Sequence, residues 1–216
     1  MIGVIVACDD GDSALGDYFS ECASDIESTL NDAQYNSCGA FVHAMRSDSC
    51  NYACLCDAVG SMNGKPFVFV AYTHGTDDGL VVNDNYFLSD NNHNFMFRGS
   101  FIFSASCLVA RKLGPSLVDN ECAAFIGYKD EVNILIGAYR NFSVECCNVG
   151  LKLFFTENYT IQNMYQIMLR LITQKYEQLL RDNQLILASQ LVNNREALIL
   201  LGNGDLSVRD LMRVAS

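Results

Sequence analysis

Phe67-Val68-Phe69-Val70-Ala71-Tyr72-Thr73-His74-Gly75 and Phe101-Ile102-Phe103-Ser104-Ala105-Ser106-Cys107 decide how this chain folds. The first is a continuous apolar run that ends in His-Gly. The second is an apolar run that ends on a cysteine. Short runs that are apolar at consecutive positions, entered from a turn such as Asn63-Gly64-Lys65-Pro66, read as strands buried on both faces. The same pattern recurs outward from them, at Ile2 to Cys8, Ala123 to Tyr128 and Ala197 to Gly202, with a shorter candidate at Phe41 to Met45.

Helical spacing fills the intervals. Leu15, Tyr18, Phe19, Cys22, Ile26 and Leu30 share one face, with Asp12 or Ser13 as N-cap. Residues 49–62 place Ala53, Cys54, Cys56 and Val59 on an apolar side, and Val109 to Val118 continue as a helix interrupted by Gly114-Pro115. Ile161, Met164, Met168, Leu171, Ile172, Leu179 and Leu180 mark a long amphipathic helix. Asn83-Asp84-Asn85 between two apolar runs predicts a hairpin. Strands alternating with helices predict an α/β fold, a three-layer αβα sandwich with a mostly parallel central sheet.

The 216 residues contain two prolines and no linker-like stretch, so a single domain over 1–216 is expected. Half are hydrophobic and 18% are charged, enough to build a substantial core. The net charge of −11 argues against nucleic-acid partners, whose phosphates it would repel. It suits a basic peptide or partner. No apolar run reaches the length of a membrane span, and the first residues lack the basic and cleavage features of a leader, so a cytoplasmic protein away from membranes is expected. The ten cysteines then read as reduced thiols. Cys50, Cys54 and Cys56 do not have the spacing of a zinc site, and no metal is expected there.

In sheets of this kind, functional groups gather beyond the carboxyl ends of the strands. His74, Cys107, Asp9 and Asp10 all occupy such ends. A thiol is mostly protonated near neutrality, and a neighbouring imidazole is suited to take its proton. His74 beside Cys107 would therefore make a catalytic dyad, and the N–H groups of Gly75 and Cys107 could stabilise an oxyanion. Alone, each has an ordinary reading, a loop histidine and a buried strand cysteine. Order and matching position favour the pair. His43, in an apolar segment, reads as a core histidine, and His93, in a polar loop, as solvated. No G-x-S-x-G elbow and no C-x-x-C pair supports another hydrolase or a redox protein.

Four segments together resemble the caspase–hemoglobinase superfamily of cysteine peptidases, in its CHAT, gingipain and separase-like branch. They are Phe67–Gly75, Ile102–Cys107, Glu121–Tyr128 and Ala197–Asp205. The chain departs from the family pattern after Cys107, where Leu108-Val109-Ala110-Arg111 follows and the first glycine is Gly114. The resemblance implies a caspase-like fold and a thiol endopeptidase, with Cys107 as nucleophile, His74 as general acid/base, and no metal or organic cofactor. Relatives that cut after Arg or Lys line the primary pocket with acid, so Asp9 and Asp10, then Asp77 and Asp78, become substrate-binding candidates for cleavage after a basic residue. It further implies a protein or peptide substrate, a role in a microbial stress or anti-phage response, and control by a regulatory subunit or by a loop, Asp84–Arg98 or Lys129–Asn148. The alternative is a catalytically silent interaction module of the same fold.

Overall fold

The computed structural model describes residues 1–32, 39–91 and 94–214. His93 lies outside them. Six strands form the central sheet in the order β2 (Phe41–Arg46), β1 (Gly3–Cys8), β3 (Phe67–Tyr72), β7 (Phe101–Ser104), β8 (Ala124–Tyr128), β9 (Leu198–Gly202). The first five are parallel, and β9 runs antiparallel to β8. A small antiparallel sheet of β4 (His74–Gly75), β5 (Gly79–Val82) and β6 (Asn85–Ser89) follows β3 directly. Its hairpin turns on Asn83 and Asp84, both at positive φ (50° and 59°), a conformation that these residue types tolerate well.

Alternation along the central strands divides the core in two. Val4, Val6, Val68, Val70, Tyr72, Phe101, Phe103 and Ile126 face one side. They pack with buried residues of α1 (Gly16–Asn31), α4 (Arg140–Thr156), α5 (Ile161–Arg181), α6 (Leu185–Ala197) and α7 (Val208–Val214). Ile5, Ala7, Phe67, Phe69, Ala71, Ile102 and Phe125 face the other side, against α2 (Tyr52–Gly60), α3 (Leu113–Asp119) and the small sheet. Both faces are covered, which is why the strands read as unbroken apolar runs. Burying each of these large side chains stabilises the fold by roughly 1.5–3 kcal/mol. The result is a three-layer αβα architecture around a mostly parallel central sheet. Among the described residues, no helix is long and apolar enough to cross a membrane.

From β1 the chain passes through α1 to the edge strand β2, then returns through α2 to β3 on the other side of β1. The connections therefore leave a crevice between the ends of β1 and β3, the usual place for a ligand in such sheets. Residues 9–15 and 73–76 meet there.

Two elements differ from expectation. Much of 129–148, read as a control loop, is the start of α4. Its buried Asn148 accepts from the Tyr72 hydroxyl (2.6 Å) and donates to the Cys22 carbonyl (2.8 Å) and to Asp25 (2.9 Å), binding β3, α1 and α4 through a polar network. Pro115 does not interrupt a helix. It sits in the first turn of α3, where an N–H has no helical partner.

Candidate active site

The pairing of β3 with β7 runs from Val68↔Phe101 to Ala71↔Ser104, and the Ala105 N–H donates to the Ala71 carbonyl (2.9 Å) just beyond it. The hydroxyls of Thr73 and Ser106 then lie 3.3 Å apart, at the same offset of 33 residues. His74 and Cys107 are the next residues on the two segments. Side chains alternate along strands. Val68, Val70 and Tyr72 share the α1 face with Phe101, Phe103 and Ala105. His74 and Cys107 stand two positions further on, beyond the paired strands. The His74 ring meets Phe19 of α1 edge-on, with centroids 5.5 Å apart.

Gly75 lets the strand ends close. A Cβ at this position would stand 2.6 Å from the Cys107 carbonyl oxygen and 2.8 Å from Ser106 Cβ, distances that no side chain could occupy.

His74 Nε2 lies 3.1 Å from Asp12 Oδ2. The other Asp12 oxygen accepts from the N–H groups of Ala14 (2.9 Å) and Leu15 (2.6 Å), just ahead of α1. Burial opposes ionisation of Asp12, but these two donors and His74 outweigh it and hold the carboxyl below its ordinary range. Sequence reasoning found Asp12 only as a cap. It takes a second role because the crevice brings the end of β1 to the end of β3.

Cys107 is half-buried. The Val132 N–H donates to its sulfur at 3.2 Å. Burial pushes the thiol pKa up; the Val132 donor offsets part of this, and the charges of Glu131 and Asp130 add to it. The backbone turns sharply here, with Leu108 at φ 65°, its N–H on the Asp130 carbonyl (3.2 Å) and the Val109 N–H on the Cys107 carbonyl (2.8 Å). No hydrogen bond joins the Cys107 sulfur to His74 among the described residues. Cys54 and Cys56 are the other partly exposed described cysteines, whereas burial pushes Cys8, Cys50, Cys122 and Cys146 up to about 12.

The four candidate acids are placed differently. Asp9 is 2% exposed and accepts from the Ser47 hydroxyl (2.9 Å). Burial raises its pKa. Asp10 Oδ1 accepts from the Ser47 N–H (3.1 Å) and lies 2.8 Å from the Ser47 hydroxyl, whose single proton Asp9 and Asp10 compete for. Asp77 pairs with Lys112 at 2.8 Å, and Asp78 accepts from the Thr76 (2.7 Å) and Tyr86 (2.9 Å) hydroxyls. Asp9, Asp12, His74 and Asp84 line a cavity of about 430 Å³ with Gly11, Ser13, Val81 and Asn83. His43 is half-buried on the edge strand β2. Among the described residues, one group has the composition and spacing to hold a metal ion: Asp9, Asp12 and His74. Cys50 instead faces the Cys8 carbonyl, and the Cys54 sulfur accepts from Asn51.

No family model matches the chain, and no curated protein matches it either. Among solved structures it is similar to the X-ray structure of an inactive zymogen C11 protease from Parabacteroides distasonis, at 15% identity and a TM-score of 0.44. The match covers 67% of this chain and 53% of that one, so the chain spans about half the length of that protease. At this identity no residue role passes from one to the other.

Proposed function

We propose that the chain is a cysteine-type endopeptidase that works through Cys107 and His74. The observation that carries this reading is the arrival of the two residues at adjacent strand ends, each one position beyond the Thr73 and Ser106 hydroxyls that lie 3.3 Å apart. Asp12 occupies His74 Nε2, so Nδ1 is the nitrogen left for the thiol proton. The sulfur would attack the peptide carbonyl, with the oxyanion facing the N–H groups of Gly75 and Cys107. The protonated His74 would return the proton to the leaving amine, and water would then release the acyl group. Asp12 holds the imidazole and compensates its charge. It is a positioning residue.

For the primary pocket we retain a basic side chain. The cavity beside His74 carries Asp9, Asp12 and Asp84, and a guanidinium or ammonium group suits that charge; Asp10, held by Ser47, stays a candidate from its place in the sequence. Asp77 and Asp78 are the second choice, each already engaged. The setting we assign, a cytoplasmic microbial stress or anti-phage response under a regulatory subunit, follows from the resemblance alone.

A second reading has its own observation. The Cys107 sulfur is bonded to Val132 rather than to His74, and its pKa is raised. A catalytically silent module would keep that arrangement permanently. A panel of fluorogenic peptides varied at the residue before the scissile bond separates the two. Hydrolysis after Arg or Lys that disappears in Cys107→Ala supports the peptidase. Hydrolysis only after Asp would remove the basic preference, and hydrolysis unchanged in Cys107→Ala would remove the nucleophile.

A further inference from the structure

We propose that Asp9, Asp12 and His74 form a binding site for one divalent transition-metal ion of the manganese–zinc class, at the mouth of the crevice between β1 and β3. The proposal does not rest on the peptidase reading, since the ion would bind whether or not Cys107 is a nucleophile. It names a different role for His74 from the one the sequence suggests.

The ligand atoms of the three residues all lie within 4.8 Å of one another. Bonds of about 2.0–2.2 Å to a shared ion would bring them to roughly 3–3.5 Å separation, a small inward movement of three side chains. Two carboxylate oxygens with one imidazole nitrogen suit manganese, iron or zinc better than calcium or magnesium, which favour all-oxygen shells. Three protein ligands leave positions open toward the cavity.

Each carboxylate is already anchored through one oxygen. Asp12 Oδ1 holds the N–H groups of Ala14 and Leu15, and Asp9 Oδ1 holds the Ser47 hydroxyl. Such outer contacts orient metal ligands. The oxygens that remain are Asp12 Oδ2, on the imidazole, and Asp9 Oδ2, to which no described residue donates.

The independent observation is Asp9 itself. It is 2% exposed, yet no Lys or Arg pairs with it among the described residues. Among the described residues its side-chain donor is the Ser47 hydroxyl, which carries a single proton and also faces Asp10 (2.8 Å). A carboxylate largely withdrawn from water, with one shared donor and an oxygen on the cavity side, favours a cation beside it. The acidic residues around the cavity add to that demand, and the cavity gives an ion a way in. On binding, the Nε2 lone pair goes to the metal and the single proton of the neutral ring moves to Nδ1, a tautomer shift with no net proton released, so a metal-loaded His74 has no free nitrogen for the thiol proton. Both carboxylates stay ionised, so charge and protons balance.

The test is titration of the chelator-treated full chain with Mn²⁺, following the free-ion electron paramagnetic resonance signal. Mn²⁺ is chosen because it has little affinity for the many thiols. The expected result is one ion per chain, with affinity about 10–100-fold weaker in Asp9→Asn and again in Asp12→Asn, and unchanged in Cys107→Ser. Asp12→Asn keeps an acceptor for Ala14 and Leu15, so it guards against a loss caused by misfolding of Asp9→Asn; circular dichroism checks both. No binding at millimolar Mn²⁺, or binding that neither aspartate variant weakens, would overturn the site. A chain that binds Mn²⁺ here but cuts no peptide would leave it standing and remove only the peptidase.

Discussion

The two strand ends that form the candidate dyad are prepared in different ways. At the end of β3, His74 stands beside an open cavity, with Phe19 against its ring and Asp12 on its nitrogen. At the end of β7, Cys107 is half-covered by residues 129–132 and takes its hydrogen bond from Val132, and its thiol is harder to ionise than a free one. The candidate base is oriented and reachable; the candidate nucleophile is half-covered. A common sheet brings the residues together, but the loops beyond the sheet set their chemistry, and those loops belong to different parts of the chain. Cys107 is therefore the residue whose surroundings would have to change for hydrolysis to begin, and the segment at 130–132 is where that change would occur.

The strongest break in this comparison is removal of the sulfur. Cys107→Ala should lower peptide hydrolysis by at least about 10⁴-fold, as loss of a nucleophile does elsewhere. The fold should persist, because the neighbouring pairing of Thr73 with Ser106 and the Gly75 contact do not involve the thiol. Steady-state kinetics and thermal unfolding together check it; a collapsed fold would leave the kinetic loss without meaning for mechanism.

The histidine side comes next. Asp12→Asn should reduce kcat/KM by about 10²–10⁴-fold, mostly in kcat, since an amide can hold the ring in the wrong tautomer and cannot compensate imidazolium charge. Asp12→Ala should add a stability loss of about 1 kcal/mol, because the N–H groups of Ala14 and Leu15 lose their acceptor. Chemical denaturation of both variants separates the two roles. Equal activity in Asp12→Asn and the parent would end the positioning assignment.

The sequence carries the sheet more fully than the loops for a physical reason. The strands from Phe67 and Phe101 are buried on both faces, so composition alone marks them, and their ends fix where His74 and Cys107 emerge. Asn83-Asp84 marks its hairpin because few residue types accept two consecutive positive φ angles. α4 is hidden because Ser143 and Asn148 are buried within it, and α6 because Leu185 and Ile186 are exposed at its start; each breaks the apolar stripe that periodicity looks for. Asp12 reads as a cap from local sequence, and its contact with His74 depends on how α1 and β2 return the chain. The cover over Cys107 comes from residues 25 positions later, packed there by α6 through Asn194, which holds Asn133 by its N–H (2.8 Å) and carbonyl (2.7 Å).

The raised thiol pKa gives a pH prediction. In the folded chain Cys107 keeps its proton to higher pH than a free cysteine, whose midpoint is near ~8.5. Its alkylation by iodoacetamide should therefore still be climbing where a free thiol has levelled off, and should lag a cysteine peptide by several-fold near neutral pH. Linkage runs the same way: the folded state binds the proton more tightly, so this contribution to stability is complete below the unfolded thiol's pKa and fades as pH rises through the folded value. Mass-spectrometric rates for the Cys107 peptide, resolved from Cys54 and Cys56, measure it. A Cys107 rate that levels off below the free-thiol midpoint would mean that the imidazole, and not burial, governs the sulfur.

The smallest expected effect isolates the cover itself. Glu131 acts on the Cys107 thiol through its charge, alongside Asp130, and neither side chain touches the sulfur. Glu131→Gln keeps size and polarity and removes one negative charge. The alkylation rate at pH 8 should rise about twofold, the scale of one screened charge near a partly exposed group, and the gain should shrink in high salt. The Val132 N–H bond should survive, so the peptide-bond amide at 132 should keep its protection from hydrogen exchange. A much larger increase, with that protection lost, would show that Glu131 holds the 129–132 segment over the sulfur. In that event the contrast between the two strand ends would be one of access rather than of charge.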